Sequence, residues 1–293
     1  MDSDTGTGSR DAFAALGNDL RLAVLRVLAA AMEADGSGLS FTALYDELGI
    51  ESTSRLAYHL SKLDGWFVQR RDDEYVLTQA GDRVVRAVRS GTYSERPSFE
   101  RTTLEGDCPR CESTTLVAAY EAAMLVVACE ACDATVVRYD LPPAAARDRT
   151  SREVLADCNR RAHSEYENAL RGTCSTCGGR TEVAVESSDG GEYACVSECS
   201  QCGLRLFAPF EARVLYHPGV VSFYWARGVD VSNYPFWRLH SLVSEWTVEG
   251  LDEDGLPCRV VLSCEGDSLR AVVDENLAVS VEAADAVAGR PNP

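Results

Sequence analysis

The chain has 293 residues, 45% of them hydrophobic and 25% charged, a composition typical of a globular protein with two or more domains. It contains 46 acidic and 28 basic residues, for a net charge of -18. The sequence has neither an apolar run long enough to cross a bilayer nor a signal peptide. We therefore expect a soluble, cytoplasmic protein without a membrane partner.

The basic residues are almost all arginine, since Lys62 is the sole lysine. An acidic, lysine-poor surface predicts a halophilic protein, because the Debye length falls to about 3 Å at 1 M salt and like charges then repel little. An acidic protein from ordinary salt is the alternative. Residues 1–90 carry 10 basic and 14 acidic residues, so the N-terminal part is the least acidic.

The N-terminal part reads as a series of helices. Residues 1–10 are polar and predict a disordered tail. Apolar positions from Phe13 to Leu28 predict helix, with a break near Gly17 and Asp19 as the N-cap. A further helix is expected from Ser40 to Leu48.

Residues 51–77 predict a helix followed by a charged hairpin. Ser52 or Thr53 can cap the helix, and leucines at spacings of four and three give it a buried face. Two short strands would flank a tip at residues 70–73. This order is that of a recognition helix and a β-wing, the DNA-reading half of a winged helix-turn-helix.

Three runs resemble ArsR-type winged-helix repressors. Phe13–Leu25 is similar to their opening, Leu56–Leu63 to their recognition helix, and Tyr75–Gly81 to the strand and final helix after the wing. The resemblance implies a DNA-binding domain over residues 11–90 that acts as a homodimer on double-stranded DNA. The whole chain is similar to haloarchaeal regulators that join such a domain to a C-terminal domain of unknown function.

Two departures from the family bear on the site. The family often has Ser and Arg where this chain has Ala57 and Tyr58, so base readout must differ. The domain has no cysteine, which excludes the family's cysteine-based metal sensing. His59 is a packed residue or a phosphate contact, and the acidic Asp72–Glu74 would turn the tip from DNA. The predicted DNA-binding residues are Ser54, Arg55, Tyr58, His59, Lys62, Arg70 and Arg71.

The cysteines form two matching cassettes, each a pair of Cys-x-x-Cys motifs, separated by 17 residues in the first and 21 in the second. Paired thiolates on tight turns make closed tetrahedral zinc sites, so two structural Zn²⁺ are predicted. The ligands would be Cys108, Cys111, Cys129 and Cys132, and Cys174, Cys177, Cys199 and Cys202. Strand-like sequence between the motifs predicts two zinc ribbons, at 108–142 and 174–210, the first preceded by a linker at 91–107.

A connecting helix is predicted over residues 143–173, because Thr150 and Glu153 form a capping box. Cys158 lies on its apolar stripe and is expected in the core. Cys195 is an alternative metal ligand or a core residue of a strand. Cys258 and Cys264 are expected on one strand face, with packing, ligand and redox roles all open.

The region 211–285 predicts an antiparallel sheet with helices against it. Ten of the chain's 23 aromatic residues lie between Phe207 and Trp246, as core or as a pocket for an apolar effector. Helices are expected from Pro218 to Arg227 and after Ser232. Residues 286–293 form a tail.

The sequence as a whole predicts an α+β protein that regulates transcription. Its recognition helix would enter the major groove, and its zinc-binding region would sense a small-molecule effector or contact a protein of the transcription machinery. The alternative is a zinc-ribbon adaptor whose winged domain contacts protein or dimerises. An enzyme is not expected, because the sequence shows no nucleophile–base pair, phosphate loop or open metal site.

Overall fold

The structure is a computed structural model that describes residues 5–187, 193–250 and 256–282. The chain divides into two compact units, one of residues 1–96 with 142–144 and one of residues 97–141 with 145–293. Both combine helices with antiparallel strands, so the α+β class is confirmed. The described residues contain no helix with the length and apolar character needed to span a bilayer.

The first unit contains five helices and one hairpin in its described residues. In chain order they are α1 (Thr5–Leu16), α2 (Asp19–Asp35), α3 (Phe41–Leu48), α4 (Thr53–Leu63), β1 (Val68–Arg71), β2 (Glu74–Leu77) and α5 (Gln79–Arg89). Buried leucines and valines of α2, α3, α4 and α5 meet the hairpin in one core.

Two predictions for the helix starts are wrong. The tail predicted at residues 1–10 is helical from Thr5, since α1 begins there and its last turns pack Ala12, Ala15 and Leu16 into the core. The N-cap of α2 is Asn18, whose Oδ1 accepts from the backbone N–H of Leu20 at 3.0 Å. An N-cap needs extended backbone, which Asn18 has, whereas Asp19 already lies in the first turn.

The hairpin turns more tightly than predicted. Arg71 pairs with Glu74, so the turn is Asp72–Asp73, with φ of 46° and 68°. Positive φ at both positions defines the two-residue turn that matches the twist of paired strands. Leu39 adds a backbone bridge to Tyr75, with N–H to oxygen distances of 3.1 and 2.8 Å.

The second unit contains three antiparallel sheets whose strands follow chain order. The first is β3 (Phe99–Thr103), β4 (Leu116–Glu121), β5 (Met124–Cys129) and β6 (Thr135–Asp140). After α6 (Ser151–Leu170) comes the second sheet, β7 (Thr181–Ser187), β8 (Tyr193–Cys199) and β9 (Arg205–Pro209). Then follow α7 (Ala212–Leu215), α8 (Pro218–Trp225), α9 (Leu239–Val243) and the third sheet, β10 (Thr247–Glu249), β11 (Cys258–Cys264), β12 (Asp267–Val273) and β13 (Val279–Glu282).

The strand β3 lies inside the segment predicted as a linker, residues 91–107. Phe99 pairs with Tyr120 of β4, and their rings stack with centroids 5.9 Å apart. The sequence of β3 is mostly polar and therefore gives a weak strand signal, because an edge strand buries few of its side chains. The linker prediction is therefore wrong for Phe99–Thr103.

The helices of the second unit follow their caps. The capping box of Thr150 and Glu153 is present at the start of α6, as predicted. Helix α8 ends at Trp225 instead of Arg227, and Ser232 caps no helix. The chain before α9 is held by Asn159, whose Oδ1 accepts from Phe236 N–H at 2.9 Å and whose amide donates to Asn233. The tail predicted at residues 286–293 lies outside the described residues.

Candidate functional site

The first four-cysteine group joins two turns at one end of the first sheet. Cys108 and Cys111 lie in the turn before β4, Cys129 ends β5, and Cys132 lies in the turn before β6. The Sγ atoms of Cys108 and Cys132 are 3.8 Å apart, and those of Cys111 and Cys129 are 3.6 Å apart. All four lie within 4.8 Å of one another, so they can share one metal ion.

The second group repeats this plan on the second sheet. Cys174 and Cys177 precede β7, Cys199 ends β8, and Cys202 precedes β9. The Sγ distances are 3.7 Å for Cys174 and Cys202 and 3.5 Å for Cys177 and Cys199. The antiparallel register brings the two turns together, because Cys199 pairs with the first residue of β7 just as Cys129 pairs with the first residue of β4.

The sulfur distances in both groups match a tetrahedral metal site. A metal–sulfur bond of about 2.3 Å places neighbouring ligands about 3.8 Å apart. A disulfide would need about 2.05 Å, and the eight cysteines are unbonded. The chain can therefore hold two metal ions, one in each group.

Hydrogen bonds favour one thiolate in each group. A hydrogen bond from the Thr115 hydroxyl, 3.5 Å from the sulfur, and backbone N–H groups lower the pKa of Cys129 to about 6. The backbone N–H groups of Cys202 and Gln201 lower the pKa of Cys199 to about 6. Four thiolates this close repel one another strongly, so full deprotonation calls for a bound cation.

The other four cysteines lie apart from the two groups. Burial raises the pKa of Cys158 to about 12 and that of Cys195 to about 11, so these thiols are unreactive core groups. Cys195 is not brought into the second sulfur group. Cys258 and Cys264 share a buried face of β11, but they are six positions apart along the strand, a distance of about 20 Å.

The exposed face of α4 carries three of the predicted DNA-binding residues. Arg55, Tyr58 and Lys62 are all exposed, and their spacing places them along one side of a helix. The Nζ atom of Lys62 lies 5.5 Å from the centre of the Tyr58 ring. The helix thus presents two cations and a phenol together, and we name these three residues the α4 face.

Two further residues of α4 have different surroundings. Ser54 is exposed, with its Oγ 2.9 Å from that of the N-cap Ser52. His59 is buried with Leu56, Leu60 and Leu63, so it does not belong to the α4 face. Burial lowers the pKa of His59, and the charges of Arg21 and Arg55 lower it further. A buried, neutral imidazole is unsuited to a phosphate contact, which corrects its prediction as a DNA-binding residue.

The hairpin tip neutralises much of its own charge. Arg70 forms an ion pair with Asp73 at 2.6 Å. Glu74 accepts from the backbone N–H of Gly38 at 3.1 Å. Arg71 is exposed and, within the described part of the chain, forms no ion pair, so it is the arginine of the tip with a free charge.

Sequence reasoning missed Arg21 of α2. Its charge acts on His59 of α4, so the two side chains are close although they are distant in sequence. One guanidinium nitrogen donates to the carbonyl of Ala14 at 3.4 Å, and Nε is buried without a partner among the described residues. No local signal marks this residue, since its position depends on how α2 packs on α4.

The family models that match this chain divide it near the boundary between its two compact units. A family model described as Domain of unknown function (DUF7347) matches residues 9–88. A second, described as Domain of unknown function (DUF7351), matches residues 105–279 and so covers more than half of the chain. No curated protein and no solved structure shows significant similarity to it. The match over most of the second unit shows that the chain belongs to the DUF7351 family.

Proposed function

We propose that the protein is a sequence-specific DNA-binding transcriptional regulator of the ArsR-like winged helix-turn-helix type. Residues 11–90 form the DNA-binding domain, with α4 as the recognition helix in the major groove and the hairpin as the wing on the backbone. The protein acts as a homodimer on double-stranded DNA. The observation that carries this proposal is the α4 face, where Arg55, Tyr58 and Lys62 are exposed together.

The chemistry of the α4 face suits base edges and phosphates. Arginine pairs with the acceptors of guanine in the major groove, and lysine binds guanine or phosphate. The phenol of Tyr58 can donate or accept a hydrogen bond. Arg71 supplies a phosphate contact from the hairpin, whereas Arg70 is occupied by Asp73. The contact set is small, as expected where concentrated salt weakens phosphate attraction.

The two four-cysteine groups are proposed as structural Zn²⁺ sites within two zinc ribbons. Four thiolates close the coordination shell and leave no position for a catalytic water. Bound Zn²⁺ would stabilise the two sheets, each of which has a small core. The second unit then serves sensing or interaction, and the protein is not an enzyme.

The test is DNA binding by the zinc-loaded chain in concentrated KCl, by mobility shift and by genome-wide occupancy. Changing Arg55, Tyr58 and Lys62 together to alanine should weaken specific binding at least 100-fold, since each base contact contributes about 1–3 kcal/mol. Arg26→Ala, an exposed arginine on α2, is the control and should retain binding. Unchanged binding by the triple variant would remove α4 from the recognition role.

The second candidate is a zinc-ribbon adaptor that uses the winged domain for protein contact or dimerisation. The self-neutralised hairpin tip favours it, because the pair of Arg70 and Asp73 offers no net charge to phosphate. This alternative predicts no sequence-selective footprint and a stable protein partner in a pull-down. The DNA-binding assay on the unaltered chain separates the two functions.

A further inference from the structure

The second unit contains a cavity of about 930 Å³. It lies among β6, α6, the strands β8 and β9, and α9, so parts of both cysteine-bearing sheets line it. Exposed lining residues, among them Arg138 and His240, mark where it opens to solvent. Its volume falls within the range of about 300–1,000 Å³ that small-molecule sites occupy.

Aromatic rings form a large part of the cavity wall. The rings of Tyr139 and Phe236 have centroids 6.2 Å apart, and those of Phe236 and Trp237 are 5.2 Å apart at an angle of 73°. Phe207 of β9 also lines the cavity and is 54% exposed, with the Arg205 guanidinium 5.0 Å from the centre of its ring. Flat rings at such distances stack on a planar guest or contact it edge to face.

Three of the tyrosine hydroxyls along the wall are already used within the protein. Tyr139 donates to Glu165 at 2.7 Å, Tyr166 donates to the carbonyl of Phe207, and Tyr216 lies 2.7 Å from His163 Nδ1. These bonds fix the rings in place and leave their faces as the surface offered to a ligand. The wall is therefore rigid and apolar over most of its area.

Two donors of the lining lack a partner. Arg138 is exposed on β6 and forms no ion pair within residues 5–187, 193–250 and 256–282. The indole N–H of Trp237 is buried and has no acceptor among the same residues. Glu211 also lines the cavity, but it has an interaction partner of its own. The Trp237 N–H can therefore donate to a hydrogen-bond acceptor, and Arg138 can bind an anion at the rim.

We propose that this cavity binds a small planar aromatic carboxylate. Its rings would lie against Tyr139, Phe207 and Phe236, and its carboxylate would pair with Arg138 at the rim. A guanidinium suits this partner because its planar N–H fork matches the two carboxylate oxygens. Trp237 also lines the cavity, so a bound ligand would change the surroundings of its indole N–H. Binding requires no DNA, and only the reading of this ligand as the regulator's effector rests on the proposed function.

The binding test uses calorimetry on the zinc-loaded full chain with 2-naphthoate and its neutral analogue 2-naphthamide. We expect 2-naphthoate to bind with one molecule per chain and about fivefold more tightly than the amide, the gain of an exposed ion pair. The indole N–H resonance of Trp237, assigned through Trp237→Phe, should shift as naphthoate is added. A shift of this resonance would show, in the unaltered protein, that the ligand occupies the cavity.

Variants separate the ring contacts from the charge. Arg138→Gln should weaken naphthoate about fivefold and leave the amide unchanged, because it removes only the cation. Phe207→Ala should weaken both ligands about fivefold, since an aromatic pair contributes about 1 kcal/mol. The matched controls are Arg152→Gln and Trp225→Phe, exposed residues outside the cavity, and neither should change affinity twofold.

Three results would each overturn the proposal. They are no naphthoate binding at millimolar concentration, equal naphthoate affinity in Arg138→Gln, and binding without a shift of the Trp237 resonance. None of them touches the DNA-binding proposal, because these measurements contain no DNA. Conversely, unchanged DNA binding by the triple α4 variant would contradict the DNA-binding proposal and leave the cavity test unaffected.

Discussion

The two four-cysteine regions share one plan of turns and strands but differ in what surrounds the metal ligands. The first sheet has four strands and packs on α6, and Cys108 and Cys129 belong to the same buried core as Val154 and Leu155 of that helix. The second sheet has three strands and also contacts α6, where the Thr181 hydroxyl donates to the carbonyl of Ala169 at 2.7 Å, but its four cysteines belong to no buried core cluster of the described residues. Cys132 is half-buried, whereas its counterpart Cys202 is exposed.

The same paired Cys-x-x-Cys motif therefore has two structural roles in this chain. In the first region the cysteines are part of the hydrophobic core, so the sheet, α6 and the metal site should be stable or unstable together. In the second region the core lies towards α7, α8 and the third sheet, around Cys195 and Phe210. The second metal site should then stabilise mainly its own turns.

The largest difference should appear when equivalent ligands are removed. Cys129→Ser and Cys199→Ser should each reduce bound zinc from two ions to one per chain. Cys129→Ser should also unfold the first sheet and loosen α6, since metal binding at structural zinc sites contributes about 10 kcal/mol or more. Cys199→Ser should retain most of its helical signal. Metal analysis with circular dichroism measures both effects, and equal loss of structure in the two variants would contradict the comparison.

A smaller loss of stability is expected when a contact of β3, the fourth strand that the second sheet lacks, is removed. Phe99→Ala removes the ring that stacks on Tyr120, which is fully buried. We expect the first sheet to lose about 1–3 kcal/mol of unfolding free energy, less than a fully buried Phe→Ala change because Phe99 is half-buried. Denaturant unfolding of the zinc-loaded chain measures this loss. Phe207→Ala on the second sheet is the control. An equal loss of unfolding free energy in that variant would show that β3 does not stabilise the first sheet specifically.

The smallest effect concerns the pH at which each site loads metal. Thr115→Val removes the hydroxyl that lowers the pKa of Cys129, so this thiol should stay protonated to higher pH. Metal binds the thiolate, and a lowered pKa supports binding that is lost as pH falls through about 6. The variant's first site should therefore need a pH about half a unit higher to load.

Cobalt absorbance measures the midpoint of the first site in the Cys199→Ser background, and the remaining absorbance of the chain with both sites intact gives that of the second. The second site has no such hydroxyl and relies on backbone N–H groups, so its midpoint should not move in Thr115→Val. An equal rise at both sites would mean that the hydroxyl acts through general stability instead.

The fold was predictable where a signal is local. Ser52 and Thr150 cap helices through bonds to residues three positions on, so neighbouring letters suffice. The Cys-x-x-Cys spacing brings two sulfurs to one turn without help from the rest of the chain. The two four-cysteine groups and the antiparallel sheets were correctly predicted for that reason.

The errors arose where distant residues decide the outcome. His59 is polar and lies beside exposed positions, yet the packing of α4 buries it. Strand β3 has a weak pattern of its own and exists because β4 offers it an edge.

The sequence by itself determined the two four-cysteine groups, the main helix caps and the α+β class. These follow from chemistry within a few residues or from patterns repeated along one element. Tertiary structure alone decided that His59 is buried, which cysteines are part of a core, and which residues line the cavity with Arg138 and Trp237. Burial and charge pairing depend on elements far apart in the chain, and no local pattern encodes them.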